Sequence, residues 1–268
     1  MVLPLNRLMQ AAILSAAMLS VPATAASDES ISALLEHDTG VTRLSELVSS
    51  LRQIMRPEIG FPEDYIGAWQ AAVDEAFAVD LLEADYVEAL EQYTTDDARQ
   101  AAVTFVGSDL AATIRALDVQ KEPEADIAFE EEIEAAKKIV GSASTEQNAL
   151  FVELFELQRG PETANAIMDA YYHMMKTAAD PIVGAQAADE WVTGFGSTLR
   201  DAYVEGYFLT TSAQLIDLDL TQLEELTKKM AEPALVAYAD QSTLAFSDAL
   251  QKAADRLAVA YPEAIADR

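Results

Sequence analysis

A chain of 268 residues with 17 Lys plus Arg against 46 Asp plus Glu carries a formal charge of −29. A field of that sign repels nucleic acid and anionic headgroups, so neither is expected as a partner, whereas cationic surfaces and divalent ions stay open. With no cysteine the fold cannot rest on disulfides, and with only 10 Gly and 9 Pro in an Ala-rich chain the composition favours helix.

The first 25 residues read as a secretory signal: Arg7 is the only charge, Leu8 to Val21 is apolar, and Ala23-Thr24-Ala25 forms a small-x-small cleavage site. The apolar run is about 14 residues, short of the roughly 20 that span a bilayer, so cleavage near Ala26 is expected rather than anchoring. No cysteine follows the signal to accept a lipid, and no later stretch is apolar for long enough to span. The expected destination is the periplasm. Without the signal's one arginine, 16 bases face 46 acids, 16 − 46 = −30.

The body of the chain predicts an all-α fold of two related multi-helix units, residues 28–119 and 145–262, joined by an acidic linking helix within 120–144. The stretch LLEHDTGVTRLSELVSSLRQIMR (34–56) lies without gaps over LFELQRGPETANAIMDAYYHMMK (154–176). Leu34, Glu36, Gly40 and Met55 meet identical residues at Leu154, Glu156, Gly160 and Met175, and two residues of drift bring Trp69 onto Trp191. Each tryptophan precedes a helix rich in acids and tyrosine. Further on, residues 94–114 align with 219–239 as helix, short break, helix. Starts are marked by capping boxes at Ser144/Gln147 and Thr221/Glu224, and Asp96 and Asp97 behind Thr95 oppose a helix dipole. In the linking segment, Ala125, Phe129, Ile133, Ala136 and Val140 are spaced as one apolar stripe.

The marks LLEHDTG (34–40) and TTDDARQAAVTFVGSDL (94–110) give each unit an order that resembles the bacterial secreted family called domain of unknown function 2059. Asp109 stands where that pattern often has proline, and the second unit keeps Pro233 but loses the aromatic and the glycine. The resemblance implies an all-helical envelope protein and carries no catalytic residue with it.

No catalytic, cofactor-binding or metal-binding residues are assigned from the sequence. The stretch YYHMM (171–175) invites a metal or haem reading, but the repeat alignment makes it a helix. Tyr171, Met174 and Met175, like Leu51, Ile54 and Met55, fall on the apolar face, with Tyr172 and His173, like Arg52 and Gln53, on the wet one. His37, in EHD, reads as a solvated helix end. The acids Glu130, Glu131, Glu132 and Glu134 lack calcium-loop spacing, and Gly194-Phe195-Gly196 lacks the strand and third glycine of a nucleotide loop. Carboxylates that a glycosidase could use, Glu83, Asp85, Glu88, Asp201 and Glu205 among them, are too numerous to single out a pair. The rings Trp69, Phe77, Tyr86, Tyr93, Trp191, Tyr203, Tyr207 and Phe208 read as core. Any pocket would lie between the units where they converge, taking a protein, a peptide or a small apolar ligand. The leading expectation is a non-enzymatic binding, scaffolding or chaperone-like factor; the alternatives are a carboxylate hydrolase of envelope material and a purely structural or stress protein.

Overall fold

A computed structural model describes residues 31, 34, 35, 51, 52, 54, 55, 61–120 and 129–266. Among them all regular secondary structure is helical, with no strand, so the all-α reading holds. The helices are α1 (Glu63–Ala76), α2 (Val79–Tyr93), α3 (Asp96–Val106), α4 (Asp109–Gln120), α5 (Phe129–Val140), α6 (Thr145–Leu157), α7 (Gly160–Val183), α8 (Ala185–Gln214), α9 (Leu220–Met230) and α10 (Pro233–Ala266).

Local chemistry sets most of the boundaries. Pro62 leads α1 in, and Glu63 and Asp64 sit at the positive end of its dipole. Thr95 caps α3 through its Oγ1, which accepts from the Ala98 amide, with Asp96 and Asp97 in the first turn. Ser144 and Gln147 form the reciprocal capping box of α6. The second expected box is displaced: α9 is capped by Asp219 with Gln222, not by Thr221 with Glu224. Asp219 ends the preceding turn, and a carboxylate there accepts the Gln222 amide at 2.8 Å, two residues before a threonine could act.

Gly160, which the repeat pairs with Gly40, does not end a helix. The left-handed residue after α6 is Arg159, at φ 56°, and Gly160 opens α7 beside Pro161. A Cβ on Gly160 would collide with ring carbons of Phe155. The glycine is required by that ring, not by a turn. Between α7 and α8 the turn is Gly184, at φ 84°, a conformation L side chains rarely adopt.

The long α10 organises the rest. It packs along α1, α2, α3 and α7, while α8 packs on α7 and α5 and α9 packs on α6. The largest apolar cluster joins Leu51, Ile54, Met55, Trp69, Val73 and Phe77 from the first half to Met168, Tyr171, Met174, Met175, Tyr203, Tyr207, Leu257 and Tyr261 from the second. The acidic linking segment follows its stripe: Ala136 and Val140 are buried against Leu209 and Ala213 of α8, with Ile133 half-buried beside them. Ala125 lies outside the described residues, and so do the burial of Phe129 and the environments of Glu130, Glu131 and Glu132.

Candidate functional site

The densest group of chemistry-bearing side chains lies where α10 crosses α2 and α7. Arg256 donates from Nη1 to Asp85 and from Nε to the Ala76 carbonyl at 3.1 Å, closing the C-terminal end of α1. One turn earlier, Lys252 bonds Glu88 at 2.8 Å and stands 3.3 Å from Asp248. That lysine, by hydrogen bond and then by charge, holds the Glu88 carboxyl below its ordinary range, and Glu88 in turn raises Lys252. Asp85 and Glu88 therefore serve as the first-half ends of bridges to α10. Glu83, Asp201 and Glu205 are exposed.

His173 points from α7 toward the same helix. Its Nε2 is 3.7 Å from Asp255, the ring is 38 % exposed, and Nε2 itself is shielded from water. The separation is too long for a hydrogen bond, so the contact is a weak electrostatic one. Around it, Tyr171, Met174 and Met175 are buried and Tyr172 is half-buried. The face assignment is therefore sound for the three core residues, whereas Tyr172 and His173 are only partly in water. Arg200 of α8 covers the Tyr172 ring at 5.3 Å while bonding Asn165 and Asp169. Among the described residues no group of three or more His, Asp or Glu could hold a metal ion; His37 lies outside them.

Gly194 lies inside the continuous α8 helix and is exposed, with no atom within 4 Å of the place a Cβ would occupy. Helical amides already bonded to carbonyls offer no cradle for a phosphate, and the open surroundings rule out close packing as the reason for this glycine.

The converging rings pack against one another in the interior. Trp69 is wholly buried, donates from Nε1 to the Leu51 carbonyl at 2.8 Å and meets Tyr261 edge-on at 5.2 Å. Tyr261 donates its hydroxyl to the Met55 sulfur at 3.3 Å. Phe155 packs on Tyr207 and Phe208, and Tyr203 and Tyr207 lie nearly parallel one turn apart. Phe77 and Tyr86 are buried too; Tyr93, Trp191 and Phe208 are half-buried.

Two buried polar groups escaped sequence reasoning. Arg99 occupies an apolar position of α3, its guanidinium donating to the Thr94 carbonyl at 2.7 Å and hydroxyl at 2.8 Å and pairing with Asp96. Its position beside Ala98 and one turn before Ala102 and Val103 was the available signal. The Tyr203 hydroxyl is enclosed without a hydrogen-bond partner among the described residues, and burial, with Tyr207 adding, pushes its ionisation far above the usual phenol range.

No known protein family, curated protein or solved structure matches the chain.

Proposed function

We propose that this protein is a non-enzymatic binding, scaffolding or chaperone-like factor of the bacterial envelope, exported by its N-terminal signal segment and similar in kind to the secreted family that its LLEHDTG and TTDDARQ stretches resemble. The observation that supports this most is the use made of its reactive side chains. Asp85 and Glu88 are tied to α10 by Arg256 and Lys252, the aromatic rings fill the core, and what faces outward is a helical surface of strongly negative charge. Such a surface suits cationic protein or peptide partners, recruited by charge and held by local apolar contacts. No helix among the described residues is long and apolar enough to cross a membrane.

The test is affinity purification of the epitope-tagged protein from native periplasm at low and high salt, followed by mass spectrometry of what is retained and N-terminal sequencing of the mature chain. The expected result is a reproducible, salt-sensitive protein or peptide partner and a mature start near Ala26. Cleavage of envelope glycan or peptide by the purified protein, abolished by Glu83→Gln or Glu205→Gln, would replace this reading with the hydrolase. A cytoplasmic, unprocessed chain would remove the envelope assignment.

A further inference from the structure

The two helix–break–helix segments match more closely than their sequences do, and the match fixes a register. Helices α3 and α9 are both 11 residues long, and their N-caps, Thr95 and Asp219, are 219 − 95 = 124 residues apart. At that same offset the break repeats its backbone hydrogen bonds. Gly107 donates to Val103 and Ser108 to Phe105 in one segment; Ala231 donates to Thr227 and Glu232 to Lys229 in the other. The next helix resumes alike, with Ala112 donating to Ser108 and Val236 to Glu232.

Burial keeps the same offset. Arg99, Ala102, Val103, Ala111 and Ile114 are buried, and so are Leu223, Leu226, Thr227, Leu235 and Tyr238. One residue of slip, the register that aligns 94 with 219, sets buried Arg99 and Val103 on exposed Glu224 and Lys228. Phe105 against exposed Lys229 breaks the 124 register, and buried Ala98 and Val106 meet half-buried Gln222 and Met230. Both segments bury their faces in one cluster, together with Leu34 and Leu154, themselves the paired leucines of the upstream match. In the second half the docking is direct, since α9 packs on α6, which carries Leu154.

We infer that the α3–α4 segment and the α9–α10 start are interchangeable copies of one helix-docking surface, and that the partner this surface fits is a leucine-bearing amphipathic helix of the Leu34 or Leu154 type. A binder and an enzyme could equally be built this way, so the inference stands apart from the functional reading. The full-length chain with residues 96–114 replaced by a copy of 220–238 that keeps Phe105 in place of the lysine is expected to keep one cooperative thermal transition within about 10 °C of the parent. A control carrying 221–239 in the same place puts charged side chains on the buried face and is expected to lose that transition. Equal behaviour of the two grafts, whether both fold or neither does, overturns the register. In the unaltered chain, Leu34→Ala and Leu154→Ala are expected to lower the melting temperature by amounts within a factor of about two. A Leu34→Ala chain that melts like the parent overturns the shared partner.

Discussion

Trp69 and Trp191 stand at matching places in two similar stretches of sequence, and the fold uses them differently. Trp69 lies on a 14-residue helix pressed under α10, with no exposed surface and its indole N–H bonded to Leu51. Trp191 lies near the start of a 30-residue helix and is half-buried at the margin of the same cluster. The first half breaks at Phe77 and Ala78 to start a new helix, whereas the second runs on unbroken through Gly194. Periodicity assigns a face within a helix, but the depth of that face depends on what covers it, and over Trp69 lies α10, whose Tyr261 meets the indole edge-on.

The largest test of this contrast is truncation. Trp69→Ala is expected to cost about 3–5 kcal/mol in denaturant unfolding, as for other fully buried aromatics, and Trp191→Ala less than about 2 kcal/mol. In fluorescence, the Trp191→Phe protein should show a blue-shifted emission that acrylamide barely quenches, and the Trp69→Phe protein a redder, quenchable one. Similar costs and similar quenching would mean that α10 does not cover α1 as described.

The glycines should respond with opposite signs. Gly160→Val forces a side chain into the space of the Phe155 ring and is expected to destabilise by about 1–3 kcal/mol. Gly194→Ala fills open space on an exposed helix and is expected to stabilise by about 0.5–1 kcal/mol. Thermal melts of the two variants decide both.

Ion pairs grade by depth in the same way. Arg256 and Asp85 are largely enclosed, at 31 % and 16 % side-chain exposure, whereas Arg52 and Asp74 are near half exposed. Asp85→Asn is expected to cost about 1–2 kcal/mol because it strips a partly buried guanidinium of its partner; Asp74→Asn should cost at most about 1 kcal/mol, with the smaller loss vanishing in high salt.

The smallest effects concern titration. The folded-state ionisation of Glu88 is lowered by Lys252, so its contribution is present above the carboxyl group's unfolded value and is lost as pH falls through the lower folded one. Glu88→Gln should therefore flatten the acid limb of a stability–pH curve and leave the neutral region, from pH about 6 to about 9, unchanged in slope. His173→Gln, at a partly exposed ring with only a 3.7 Å contact to Asp255, should shift stability by less than about 0.5 kcal/mol. A loss several times larger would make His173 a buried anchor between α7 and α10.

Much of this is legible in the chain. The spacing of Ile167, Met168, Tyr171, Met174 and Met175 places them on one helical stripe, and all five are buried. Ser144 with Gln147 specifies its own cap because both partners of a capping box lie within four residues. The α9 cap falls two residues before the expected one because Asp219, with Gln222 three residues on, forms a capping box of its own and aspartate caps better than threonine. Gly160 and the Asp85–Arg256 bridge are illegible for a common reason: the Phe155 ring and a guanidinium 171 residues away act on them through space.

By itself the sequence determined an acidic, cysteine-free, helical protein and the apolar faces of α5 and α7, because charge, composition and a 3.6-residue period are local properties. The tertiary structure alone decided that rings from both halves share one interior, that the prominent carboxylates Asp85 and Glu88 bridge to α10, and that one tryptophan is sealed while its counterpart is not. Those outcomes depend on which helices lie against one another, and the long reach of α10 across α1, α2, α3 and α7 is what settles them.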